Sequence, residues 1–421
     1  MSIMDLEVKN PPDLSEPYKT FVRQMSDWYN GGDLPELAGQ DLRFSLELQR
    51  QKLRSLGLDM KCELKKNNGK IDVGGLSIGD RLFINTIVGG NLDLTRSIDC
   101  NHDLIYESTE DIGLTAIIQS LKTDTQPSAD MALSCPHCGS PSTLGELEAG
   151  CKYCGTKFLM SELYPKVMNY FVHERHDRAK ESIKNKRDFA TILAVCCIPM
   201  LIIGVITNLF IDQTPSKILN IIYGIVGGIL GGAMIGGMVF VFKKLFEVFA
   251  LMGKNSRGGA HTVSTLFYAN KIKQYDPEFS SEHFRDKIMS LFKMAVYSND
   301  AAELACCKCQ CPEKAADIIE AQLFNFNINS CTINDNMCDV EVTLFLDCLH
   351  YVKGKIESKM DKFRMCIRKH IKNPTELGFS FAAVSCPSCG GSFDARHVKA
   401  CPYCNKEYQH EKHDWIITDI K

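Results

Sequence analysis

Two stretches of this 421-residue chain contain no charged residue, residues 190–211 and residues 218–242, although charged residues make up 24% of the whole. That gap excludes an ordinary solvated surface there. The chain also lacks a basic excess: its net charge is −3, which speaks against a nucleic-acid partner. An apolar secretory leader is missing from the first 20 residues, where Asp5, Glu7, Asp13 and Glu16 mix with prolines. Membrane entry is therefore expected through the internal pair. Gly253-Lys254-Asn255-Ser256 does not make a phosphate loop, because the first glycine and the preceding strand are absent. Finally, the candidate acid and base groups Asp347, His350, His370 and Glu341 have no spacing that makes them a set. A non-catalytic protein is expected.

Each charge-free stretch reaches the roughly 20 residues that a helix needs to cross a bilayer core of about 30 Å. The loop 212–217 between them is too short for a domain but long enough for a helical hairpin. Arg175, Arg178, Lys180, Lys184, Lys186 and Arg187 precede the first stretch, and Lys243, Lys244, Lys254 and Arg257 follow the second; the loop has only Lys217. Lys and Arg gather on the cytoplasmic side, so a multi-pass cell-membrane protein with both termini in the cytoplasm is expected. Gly224, Gly228, Gly232 and Gly236 recur every four residues in the second stretch, widened by Gly227, Gly231 and Ala233. A bare helix face lets another helix come close in lipid. That helix is either the first stretch or a second copy of the chain, so a homo-oligomer stays open. Cys196 and Cys197 read as apolar filler.

The chain is rich in cysteine, with 20. Eight stand in Cys-x-x-Cys pairs: Cys135, Cys138, Cys151 and Cys154, then Cys386, Cys389, Cys401 and Cys404. Beside cytoplasmic topology this spacing favours metal over disulfides. Two such turns aim four thiolates at one tetrahedral point, so two structural Zn²⁺ ions are expected, neither with an open position for catalysis. Gly139 and Gly155 follow the second cysteine of their turns and free backbone amides to approach sulfur, and Asn405 tolerates the same backbone region. His137 is expected to be exposed. Cys306, Cys307, Cys309 and Cys311 crowd an expected helix start; packing is the simplest account, with a soft metal or lipidation as alternatives.

In chain order, residues 1–12 read as a tail and residues 14–28 and 34–56 as helices. Strands are expected at 60–65 and 71–73, joined as a hairpin by Asn67-Asn68-Gly69, then at 81–88 and 103–107, with a short helix at 111–121. Residues 166–172 alternate like a strand, and 173–187 form a charged helix leading into the membrane. After the apolar pair, 251–261 reads as a glycine-rich linker, 281–297 as an amphipathic helix and 301–323 as mostly helical. Strands at 323–331, 338–352 and 359–371 alternate as a half-buried antiparallel sheet, and 415–420 closes the chain.

The two soluble regions match in order: helix, turn, helix, strands, cysteine ribbon, closing strand. Around the turn, Trp28 to Leu37 lines up with Ala295 to Leu304, given small shifts. Two diverged copies of one unit are expected. In the second, Asp276-Pro277-Glu278-Phe279-Ser280, then Phe284, Asp300 and Leu304, resemble the opening of the Tim-forty-four-like domain, named after the mitochondrial import-motor anchor. The ribbon followed by Asp414-Trp415-Ile416-Ile417 resembles the ending of its bacterial zinc-ribbon relatives. The resemblance covers about residues 270–421. It implies the nuclear-transport-factor-two-like superfamily, a curved antiparallel sheet wrapped by helices into a cone, with membrane-associated protein binding and no catalytic residues to carry over.

The expected fold is therefore α+β, with two cones at 13–172 and 265–421, ribbons at 135–154 and 386–404, linkers at 173–189 and 243–264, and a transmembrane hairpin at 190–242. The expected function is a membrane-anchored adaptor for a protein or peptide. An oligomeric pore on the glycine strip, or a small-molecule enzyme using a cone pocket, are the alternatives.

Overall fold

Alternation with period two governs the region after the first two helices. In the computed structural model, which describes residues 13–66, 71–79, 82–122, 127–174, 178–210, 217–373, 377–396, 398 and 400–421, α1 (Ser15–Tyr29) and α2 (Gln40–Ser55) lead into β1 (Leu58–Lys66), β2 (Asp72–Gly79), β3 (Phe83–Cys100) and β4 (Asp103–Leu121). The helix expected at 111–121 is instead the second half of β4. Ile112, Leu114, Ala116 and Ile118 alternate into the core there, and pairing with β3 overrides a weak helical pattern. The expected hairpin of β1 with β2 is also corrected. Both strands pair with the long β3, β1 along its second half and β2 along its first, while residues 67–70 lie outside the described ones. The short ribbon β5 (Ala132–Ser134) and β6 (Pro141–Thr143), α3 (Leu144–Ala149) and α4 (Met160–Leu163) follow. β7 (Lys166–Glu174) then closes the first sheet in the order β1-β3-β4-β7.

Two long helices come next, α5 (Arg178–Phe210) and α6 (Lys217–Lys273). The linker expected at 251–261 is helical, as part of α6: its three glycines weaken a helix by about 1 kcal/mol each, but no proline interrupts it. α7 (Ser281–Tyr297) precedes β8 (Ile318–Asn334), β9 (Met337–Val352) and β10 (Lys355–His370). A second ribbon, β11 (Val384–Ser385) and β12 (Ser392–Phe393), and then β13 (Ile416–Ile420) complete a sheet ordered β13-β10-β9-β8. The helix expected at 301–323 is not formed. Only two 3₁₀ turns, Ala301–Glu303 and Glu313–Ala315, interrupt an irregular segment before β8 begins. Pro312 and the cysteines there offer little helix propensity.

The two sheets correspond strand for strand: β1, β3, β4 and β7 against β8, β9, β10 and β13. The turns linking β3 to β4 and β9 to β10 match as well, with positive φ at both central residues, Asn101-His102 and Lys353-Gly354, as a right-twisted hairpin requires. Backbone bonds at the closing strands match too. The Val167 amide donates to the Leu37 carbonyl and Gly39 to Val167; Ile417 donates to Cys306 and Lys308 to Ile417. These bonds place Leu37 opposite Cys306, two residues beyond the alignment expected from sequence.

The regions expected as two separate domains form one compact unit, Met1–Arg175 with Thr262–Lys421. α2 packs on α7, and one buried cluster mixes Phe44, Leu48, Ile117 and Phe171 with the apolar residues of α7 and β8–β10. Polar side chains tie the halves: Gln49 to the Ile319 carbonyl (2.9 Å), Lys52 to that of Val296 (2.9 Å), and Asn169 to that of Asp286 (3.2 Å). Buried Arg96 meets buried Glu320 at 3.2 Å.

Several residues of the 276–304 and 414–417 segments have structural roles in the second half. Asp276 accepts from the Glu278 amide and faces the buried Lys369; Ser280 caps α7 through the His283 amide; Asp300 caps the first 3₁₀ turn. Phe284 stacks edge-on against Trp415, ring centroids 5.1 Å apart, and Asp414 binds Lys287 at 2.6 Å.

The second unit, His176–His261, holds the apolar parts of α5 and α6. Two segments, Lys186–Asn208 and Lys217–Leu245, are long and apolar enough to cross a membrane. They pack on each other through the glycine strip. A Cβ built at Gly228 would lie 2.6 Å from the Leu201 Cα, one at Gly232 2.5 Å from the Cys197 Cα, one at Gly224 2.5 Å from the Gly204 carbonyl, and one at Gly236 3.3 Å from the Leu193 Cα. Lys243 and Asp188 pair at 2.7 Å. Val195, Ile198, Ile202, Leu230, Met234 and Met238 are exposed. The loop residues 211–216 lie outside the described ones.

Candidate metal centres

Each cysteine turn is built the same way. The first cysteine's amide donates across the turn, Cys135 to Ser140, Cys151 to Thr156, Cys386 to Gly391 and Cys401 to Lys406, at 2.8–2.9 Å. Its carbonyl accepts from the residue four on: Gly139, Gly155, Gly390 and Asn405, at 2.7–2.8 Å. Those four residues have φ of 74°, 72°, 74° and 55°. Glycine reaches that region without strain and asparagine tolerates it, which explains the residue types at these positions.

The turns bring each quartet together, and both groups could hold a metal ion. Sulfurs approach at 3.6 Å (Cys135 to Cys154) and 3.7 Å (Cys138 to Cys151), and at 3.6 Å (Cys386 to Cys404) and 3.7 Å (Cys389 to Cys401). A zinc ion with Zn–S bonds of about 2.3 Å sets tetrahedral sulfurs about 3.8 Å apart. The spacing and the all-sulfur donor set therefore fit zinc. Backbone amides assist: that of Ser388 reaches the Cys386 sulfur at 3.4 Å. Burial works against ionising Cys386, but the amides of Cys389 and Ser388 bring its pKa down to about 6. The hydroxyl and amide of Thr156 hold Cys154 down to about 5. Other thiols of the same quartets go the opposite way. Cys135 is pushed up to about 12 by burial, and Cys389, despite the Gly391 amide, to about 12 by burial and its neighbouring thiols, as expected of thiols crowded round one point without a cation.

The centres differ in their surroundings. The first sits in a small cluster of its own with Leu144, Leu147 and Leu163, and α3 spans its two turns behind a capping box of Thr143 and Glu146. The second belongs to the main core: Cys386 and Cys401 pack with Phe393, Ala395 and Tyr408 in the same cluster as α7 and β9. The ribbons also touch, through Ser392 donating to the Ser142 carbonyl at 3.3 Å.

The other sequence candidates scatter. Glu341 accepts from Asn329, Asp347 is exposed on the outer face of β9, and His370 ends β10. His350 is different: it is fully buried and stands with Cys348 and Asp361, a grouping missed in the sequence. The signal was available, since residues 348 and 350 share the inward face of one strand and the tight turn at 353–354 fixes the register of β10. Cys306 and Cys307 are buried, and the Cys307 and Cys309 sulfurs lie 3.7 Å apart. A small groove open to solvent is lined by Gln119, Ser134, Lys166, Met168, Gly378 and Ser380. Comparison with protein-family models, curated proteins and solved structures finds no significant match.

Proposed function

We propose that the protein is a membrane-anchored adaptor: a transmembrane hairpin of α5 and α6 carries a cytoplasmic body of two cone-type halves, which binds a protein or peptide. One observation carries this reading. Residues 1–175 and 262–421 form one compact unit, yet the two apolar helices lie between them in the chain. Segments packed into one core share one side of a membrane, so the chain between them crosses an even number of times. The basic residues beside the apolar stretches favour the cytoplasmic side, and Lys243 with Asp188 pins that end of the hairpin. Two quartets with no free coordination position support structure rather than catalysis. The groove between Met168 and Ser380 is the proposed peptide seat.

The strip Gly224, Gly228, Gly232 and Gly236 is covered by α5 of the same chain, which favours a hairpin over an oligomeric pore. Two arms test the proposal. Protease added to sealed vesicles of known sidedness should cut both halves from the cytoplasmic face alone; cutting from opposite faces would end the hairpin reading. A photocrosslinking residue at Met168 should capture polypeptide in cells, while one at the exposed Asp347 should not. Equal capture from both, or from neither, contradicts the groove as the binding seat.

A further inference from the structure

The inward row of β9 runs Val340, Val342, Leu344, Leu346 and then changes character at Cys348 and His350, both fully buried. Asp361 approaches from β10, where it pairs with Leu346. His350 has a carboxylate at each ring nitrogen: Nδ1 lies 2.9 Å from Asp317 Oδ1, and Nε2 lies 2.5 Å from Asp361 Oδ2. A neutral imidazole has one N–H and can satisfy one of them. If Nδ1–H donates to Asp317, the Nε2 lone pair faces Asp361 and the two acceptors repel. Something must stand between the two acceptors: a second ring proton, a proton on Asp361, or a cation.

Cys348 adds a second soft donor to the cluster and so favours the cation. A thiol is a weak donor and a poor partner for an imidazolium, but it is a metal ligand. One ligand atom each from Cys348, His350 and Asp361 lies within 4.8 Å of the others. We propose that these three residues form a third metal site, for one divalent ion of the zinc class, with Asp317 as the partner that orients the imidazole. A carboxylate on the far nitrogen of a metal-bound histidine fixes its tautomer and raises its basicity. Sulfur and imidazole together select zinc-like ions over magnesium or calcium. Two donors on one zinc stand roughly 3.3 Å apart, so binding would draw Asp361 back from His350. Its side chain is 21% exposed and has room to turn. Three protein ligands leave one position for water or a ligand, unlike either quartet. The site belongs to the second half alone. Counted back from the matching turns, the first half has Arg96 and Ile98 at these positions.

The test is metal analysis of the full chain in mild detergent, after dialysis against a weak chelator. Three zinc ions per chain are expected, falling to two in Cys348→Ala and in Asp361→Asn, with both quartets still loaded. Cobalt-loaded protein should lose the absorption of one single-thiolate site in Cys348→Ala. Cys348→Ala removes only a sulfur and keeps the fold testable if a His350 variant fails to fold. Two ions in the wild type, or three that Cys348→Ala leaves unchanged, would overturn the proposal and leave a proton, not a metal ion, between His350 and Asp361.

Discussion

The two halves of the soluble unit share a strand order but use their helices differently. In the first, α1, the turn at 30–39 and α2 are all present, and α2 packs both on its own sheet, through Leu42, Leu46 and Leu53, and on α7 of the second half. In the second, the segment matching α2 is an irregular stretch rich in cysteine. One helix is thus shared where a simple repeat would have two. The difference explains why the halves fold as one unit: α2 of the first half serves both cores, sending Phe44 and Leu48 into that of the second. The metal centres follow the same asymmetry, one in a satellite cluster and one in the main core.

That asymmetry can be broken most severely at the metal. Cys386→Ser should release one zinc and cost at least about 5 kcal/mol in the main unfolding transition, because structural zinc contributes folding energy directly and this centre is part of the core. Cys135→Ser should also release one zinc but change that transition by only about 1 kcal/mol, its damage confined to the ribbon. Metal content and urea unfolding in detergent check both; equal costs would erase the distinction between the centres.

Next comes the buried pair between halves, Arg96 with Glu320. Arg96→Met should cost about 3 to 5 kcal/mol by leaving a buried carboxylate without its partner, while Arg96→Met with Glu320→Met should recover most of it. A double mutant as unstable as the single one would show that the pair does not join the halves.

A smaller effect separates them by pH. His283 on α7 is held down to about 4 by burial first and by Lys287 second. The unfolded chain takes up its proton near pH 6.5 and the folded chain only near 4. Its stability contribution is therefore intact above pH 6.5 and is lost as pH falls towards 4, by about 3 kcal/mol in total. The matching helix of the first half, α1, carries no histidine. His283→Gln should flatten the acid slope of unfolding free energy over that window; an unchanged slope would assign acid sensitivity elsewhere. The smallest expected change is Thr143→Ala, which removes the α3 capping box and costs about 1 kcal/mol within the first ribbon. Hydrogen exchange of α3 amides should rise while those of β9 stay unchanged.

The cysteine spacing, the apolar pair, α7 and the strands β8 to β10 were legible in the sequence because each has a strict local period. The failures share one cause, which is contact at a distance. Residues 111–121 read as a short helix until β3 claims them as a strand. The segment 301–323 looks helical by composition, but Cys306 and Lys308 are bound to β13 through the backbone. Nothing local in Phe44 or Leu48 says that their partners stand some 240 residues away on α7. The grouping of Cys348, His350 and Asp361 needed the register of a hairpin as well as its existence.

The chain has two tryptophans, and each half buries one: Trp28 at the end of α1, and Trp415 beside Phe284. Trp415→Phe leaves fluorescence from the first half alone, and Trp28→Phe from the second alone. Urea unfolding of the two variants in the same detergent measures directly whether the halves are one cooperative unit. Coincident midpoints and equal slopes are expected. Two separated transitions, each following its own tryptophan, would contradict the single body and return the chain to two independent domains.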